Sequence, residues 1–193
     1  MSSTELLTVR EEFYNFWQSQ ATVWEKQLHC GFPSANQFKA FAVAKDWLQD
    51  TAEALLVHRR RGFDADPYQG YIELYGVLQA VFIQQDALAE MHFAIKGKTV
   101  PFERIGAVNS MKLRDLRNKL VGHPTRKDRG TQGKLFRSVI PRQTMSYAAI
   151  QYGLDEDRKH SHPTIKLGEL LDAYDKEAAA TLRSLLDLLK ARF

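Results

Sequence analysis

Tyr71-Ile72-Glu73-Leu74-Tyr75-Gly76-Val77-Leu78-Gln79-Ala80-Val81-Phe82 places Tyr71, Leu74, Tyr75, Leu78 and Phe82 at steps of three and four, and the stripe continues through Leu88 to Ile95. That spacing marks one face of an α-helix. Asp66-Pro67 suits its start and Lys96-Gly97-Lys98 its end. On the N-terminal side, Leu6, Val9, Phe13, Phe16, Trp17, Trp24 and Leu28 predict a helix from about Thr4 to Leu28, broken by Gly31-Phe32-Pro33-Ser34. Its aromatic residues at helical spacing are assigned to the core rather than to base stacking. Phe38, Phe41, Trp47, Leu48, Leu55 and Leu56 predict a second helix ending in His58-Arg59-Arg60-Arg61-Gly62, where basic side chains and a glycine suit a helix C-terminus.

On the C-terminal side, a fourth helix is predicted from about Met111 to Val121, with Asn109 or Ser110 as N-cap and Gly122 and Pro124 as the stop. Thr125 to Gly133 is basic, glycine-containing and almost without apolar residues, and is expected to be a loop. Lys134 to Ile140 and Tyr147 to Tyr152 flank Pro141-Arg142-Gln143-Thr144 and predict a β-hairpin over about 134–152. After Pro163, the stripe Leu167, Leu170, Leu171, Tyr174, Ala178, Leu182, Leu185 and Leu189 predicts a fifth amphipathic helix. The expectation is one domain over 1–193, mainly α, a bundle of about five helices with a small β-hairpin before the last.

A chain of 193 residues with 44% hydrophobic residues can bury one sizeable core. The lone Cys30 excludes an internal disulfide and gives no basis for a cysteine-rich metal site. Met1-Ser2-Ser3-Thr4-Glu5-Leu6-Leu7 lacks the basic start and apolar stretch of an export signal, and the longest uncharged run, Leu74 to Gln85, is too short to span a bilayer. A reducing compartment, the cytoplasm, is the expected location. The net charge of +4 is unevenly spread. Between Lys112 and Arg137, nine basic residues face Asp115 and Asp128, so that stretch carries +7 and the remainder sums to −3. Local positive charge of this kind suits an anionic partner, nucleic-acid phosphates above all, although a solvated basic loop has the same composition.

On an ideal helix with Leu113 at zero, Leu116 falls at about 300° and Leu120 at about 340°, while Arg117 falls at about 40° and His123 at about 280°. Arg117 and His123 therefore border one leucine stripe. The segment Arg117-Asn118-Lys119-Leu120-Val121-Gly122-His123 resembles the motif of HEPN ribonucleases: arginine, a polar residue, four variable residues, histidine. The resemblance implies a helical bundle carrying the motif near a helix end, a homodimer in which two motifs face each other, and RNA as substrate. It also implies catalytic roles for Arg117 and His123, with Asn118 orienting the phosphate or the histidine.

Those residue types suit the reaction. RNA carries its own nucleophile, the 2′-hydroxyl, and its cleavage needs proton transfer and stabilisation of extra negative charge on phosphorus. Histidine titrates near neutrality and can act as general base or acid, while arginine can bind two phosphate oxygens. No metal or other cofactor is required. Arg114, Lys119, Arg126, Lys127 and Arg129 are candidate RNA-backbone contacts. The expected activity is that of a toxin or antiviral effector, regulated by an antitoxin or a nucleotidyltransferase-type partner. A structural role is open to the same residues: Arg117 can pair with an acid such as Asp115, His123 can cap a helix, and the chain would then be a non-catalytic RNA- or protein-binding module. His160 and His162 have no third ligand in the sequence, so a polar loop is the simpler reading than a zinc site.

Overall fold

The computed structural model describes residues 4–20, 28–122, 136–156 and 159–192. Five α-helices and a small antiparallel strand region before the last helix make up these residues, so the protein is mainly helical. Helix α1 spans Glu5–Ser19, and the Thr4 hydroxyl caps it by accepting from the Leu7 N–H at 3.3 Å. It is shorter than the predicted helix to Leu28. Residues 21–27 lie outside the described set, and a tight left-handed turn over Leu28–Gly31 follows them. His29, Cys30 and Gly31 all have positive φ there, which no right-handed helix can accommodate.

Helices α2 (Ala35–Arg61) and α3 (Pro67–Lys96) form an antiparallel pair. Ser34 caps α2 through the Gln37 N–H at 3.2 Å, and Asp66 caps α3 through the Tyr68 N–H at 2.8 Å. Gly62 and Gly97 end the two helices at φ 82° and 69°, each donating its N–H back into the last turn. Gln37 at the start of α2 donates to the Ala94 carbonyl at the end of α3, tying the pair at that end.

α3 is buried along much of its length: Leu74, Val77, Leu78, Val81, Ala87, Leu88, Met91, Ala94 and Ile95 are all core residues. Burying a leucine or isoleucine of this kind is worth about 1.5–3 kcal/mol, which is why its apolar stripe dominates the sequence reading. Helix α5 (Leu167–Lys190) packs against α1, α3 and α4 (Val108–Arg117) and buries Leu171, Tyr174, Ala178, Leu182, Leu185 and Leu189, and Glu12 of α1 pairs with Arg183 of α5 at 3.2 Å.

Helix α4 (Val108–Arg117) starts earlier than predicted, and its cap comes from elsewhere in the chain. Ala107 at the N-cap position has no side-chain acceptor. The Glu177 carboxylate of α5 instead accepts from the backbone N–H groups of Asn109 and Ser110, at 3.0 and 2.8 Å, and from both of their side chains at 2.8 Å. Burial alone would raise the Glu177 pKa, but these four hydrogen bonds lower it. Neither Asn109 nor Ser110 is the N-cap; both lie in the first turn and are capped by another helix.

The strands are β1 (Phe136–Val139), β2 (Ile150–Gln151), β3 (Gly153–Glu156), β4 (Lys159–Ser161) and β5 (Thr164–Ile165). The predicted strand region is present, but its pairing differs. β1 pairs antiparallel with β3, β3 with β4, and β2 with β5, so Lys134 to Ile140 and Tyr147 to Tyr152 are not the two arms of one hairpin. The intervening chain places its side chains on the helices instead. Ile140, Met145 and Ile150 are buried, and Met145 Sδ lies 3.7 Å from where a Cβ on Gly70 would stand.

Tyr147 completes that attachment. Its hydroxyl and His58 Nδ1 are hydrogen-bonded at 2.6 Å, and His58 Nε2 lies 3.4 Å from a Glu73 oxygen. Burial pushes the Tyr147 phenol up to about 12, so it is a hydrogen-bond donor at any physiological pH and not a nucleophile. Tyrosine, histidine and glutamate here tie the strand region to α2 and α3.

Candidate functional site

Leu113, Leu116 and Leu120 are 1%, 6% and 4% exposed, so the leucine stripe of α4 is satisfied inside this chain. An apolar surface on a second copy is not needed to cover it. After Arg117 the helix widens into a π turn, Asn118–Gly122, and this one-turn change of pitch carries the motif.

Arg117 is half-buried and held on three sides. Its Nε and Nη2 donate to Gln79 Oε1 at 3.2 and 3.0 Å, its Nη1 donates to Asn118 Oδ1 at 3.1 Å, and the guanidinium lies 4.2 Å from the centre of the Phe82 ring. Gln79 and Phe82 are one turn apart on α3, so the bundle's central helix fixes the position of this arginine. A Cβ on Gly122 would come within 2.6 Å of Nη1, so the absence of a side chain there leaves the guanidinium its place. Among the described residues no carboxylate pairs with Arg117; Asp115, the expected alternative partner, pairs with Lys119 at 2.9 Å. Three of the five guanidinium N–H groups are used, and one on each Nη is left to meet an anion.

Arg114 shares the same ring, also 4.2 Å from its centre, and is differently placed. Its Nε pairs with Glu103 at 2.8 Å, its Nη1 with Asp86 at 3.3 Å and with Gln85 Oε1 at 3.2 Å. It also forms part of the wall of a cleft of about 800 Å³ between α2, α3 and the 99–103 segment, lined by the exposed Trp47 and the partly buried Phe93. Arg114 is thus a structural cation, neutralised by two carboxylates. Lys119 is partly neutralised as well: burial disfavours its charge, but the Asp115 carboxylate outweighs burial and raises its pKa.

Of the residues singled out by sequence, Arg117 and Asn118 are brought into direct contact, while Arg114 and Lys119 are placed on carboxylates. His123, Arg126, Lys127 and Arg129 lie outside the described residues. Gln79 and Phe82 were missed as site residues. Phe82 stands out in the sequence only as part of a packing stripe, and an uncharged glutamine on a helix carries no signal at all. His160 and His162 pack edge to face at 4.7 Å, and no third histidine, cysteine or carboxylate among the described residues joins them to hold a metal. No helix among the described residues is long and apolar enough to cross a membrane. Compared with known proteins, this chain matches no family model, no curated protein and no solved structure, so its site is read from its own residues.

Proposed function

We propose that the protein is a metal-independent endoribonuclease of HEPN type, with Arg117 and His123 as its catalytic pair and Asn118 as a positioning residue. The observation that supports this reading best is the state of Arg117: a half-buried guanidinium, oriented by two amide oxygens and an aromatic face, with N–H donors to spare and no described carboxylate partner. A cation prepared in this way is suited to an incoming phosphate.

In the proposed reaction the ribose 2′-oxygen attacks the adjacent phosphorus and the bond to the 5′-oxygen breaks. The 2′-hydroxyl proton is removed and the leaving 5′-oxygen is protonated, the two transfers for which His123 is the candidate. The products are a 2′,3′-cyclic phosphate and a 5′-hydroxyl. Arg117 would hold the extra charge that builds on the phosphoryl oxygens, while Asn118, bonded to Nη1, would keep the guanidinium turned toward them. A homodimer and a regulatory antitoxin or nucleotidyltransferase-type partner belong to the same reading and rest on the motif.

The test is cleavage of single-stranded RNA by the purified protein with chelator present, read for cyclic-phosphate ends. His123→Ala should lower the rate by about two to four powers of ten with helical circular dichroism unchanged. Wild-type protein that cuts nothing, or folded His123→Ala protein that cuts at the wild-type rate, would favour a non-catalytic binding module instead.

A further inference from the structure

Along the outer face of α3, Tyr68, Ile72 and Tyr75 follow one another at about one helical turn and are 61%, 67% and 38% exposed. Gln79, next on the same line, is the residue that holds Arg117. From Tyr68 to Gln79 the row covers about 16 Å of helix. It carries no charge: Glu73, the one ionisable carboxylate in that stretch, is turned to Arg61 and His58. At the far end, the exposed Arg142 lies over Tyr68, 5.1 Å from the ring centre. Among the described residues neither Arg142 nor Arg117 forms an ion pair. The row is aromatic and apolar in its middle, with the unpaired Arg117 at one end and, at the other, Arg142 over Tyr68 beside the exposed capping carboxylates Asp64 and Asp66.

A single-stranded polyanion with planar rings fits both features, because bases stack on tyrosines whatever their sequence and phosphates meet the arginines. We propose that this row is the track on which single-stranded RNA lies, with bases on Tyr68, Ile72 and Tyr75 and phosphates at Arg142 and Arg117. The inference rests on the ribonuclease reading for the identity of the polyanion, and it adds where the strand runs before it reaches the cleavage site.

The experiment measures binding of a fluorescein-labelled 2′-O-methyl single strand, which no 2′-hydroxyl mechanism can cut, by anisotropy with the full chain. Replacing both tyrosines, Tyr68→Ala with Tyr75→Ala, should weaken binding by about tenfold or more, while the paired change to phenylalanine should stay within about threefold, since stacking survives loss of the hydroxyls. An alanine variant that binds as the wild type does, or a wild type that does not bind the strand, overturns the proposal. So does a fall in sedimentation mass on the alanine change, which would give the face to a second copy. The chemistry fails separately: intact binding of the analogue, sensitive to the alanine change, beside an uncut ribo-oligonucleotide removes the nuclease and leaves the track.

Discussion

Arg114 and Arg117 stand one turn apart on α4 and lie at the same distance from the same Phe82 ring, yet their surroundings differ in one respect. Arg114 is met by Glu103 and Asp86, whereas Arg117 is met by the amide oxygens of Gln79 and Asn118. Carboxylates cancel a guanidinium's charge; amides direct it without cancelling it. Two arginines of one helix are thereby divided between one paired with carboxylates and one that keeps unpaired N–H donors. The difference originates in the residues that α3 and the 102–104 turn present to each of them.

The largest effect expected from this contrast is in activity. Arg117→Ala should lower RNA cleavage by about two to three powers of ten while the melting temperature stays close to that of the wild type, as its partners are neutral and able to find water. Arg114→Ala should do the reverse. It removes a side chain packed on Phe82 and Phe102 and leaves Glu103 and Asp86 without their cation, so stability should fall by about 2 kcal/mol, roughly 4–8 °C, with the cleavage rate changed far less. Equal losses of activity in the two variants would break the comparison.

Glu177 sharpens the comparison from a second side, because it anchors the start of the helix that carries both arginines. Glu177→Gln keeps an acceptor but loses the charge and one oxygen, and should cost about 1–2 kcal/mol at neutral pH by chemical denaturation. The folded-state pKa of Glu177 is lowered, so its contribution is fully present above the unfolded value, about 4.3, and is lost as pH falls through the folded value. The stability gap between wild type and variant should therefore close in acid. A gap that persists or widens there would exclude the charged cap as its origin.

The smallest effect is the most local. Gly122→Ala puts a methyl group against Arg117 Nη1 and should displace the guanidinium. Cleavage should drop by about three- to tenfold, a cost of roughly 1 kcal/mol in the transition state. Stability should be unchanged or slightly raised, since alanine restricts the unfolded chain more than glycine does. Wild-type cleavage by folded Gly122→Ala protein would mean that the position of Nη1 is not critical.

The sequence by itself determined the helices that bury a broad apolar stripe. α2, α3 and α5 are read almost to the residue, because a period of 3.6 imposed by a core leaves a pattern in the chain, and because Ser34, Asp66, Gly62 and Gly97 mark their ends with local chemistry. It also singled out Arg117-Asn118 as a unit, since neighbours in sequence on a helix remain neighbours in space. Tertiary structure alone decided the rest. The cap of α4 belongs to Glu177, 67 residues away from Ser110. The partner of β1 is β3, because Ile140, Met145 and Ile150 are committed to the helical core and the ladder forms downstream of them. Which arginine is left without a carboxylate was decided by Gln79, Asp86 and Glu103, whose sequence positions carry no trace of the guanidinium each will meet. A hydrophobic stripe writes its requirement into many residues at once. A hydrogen bond between two distant side chains writes it into two, and neither shows which partner the fold will bring.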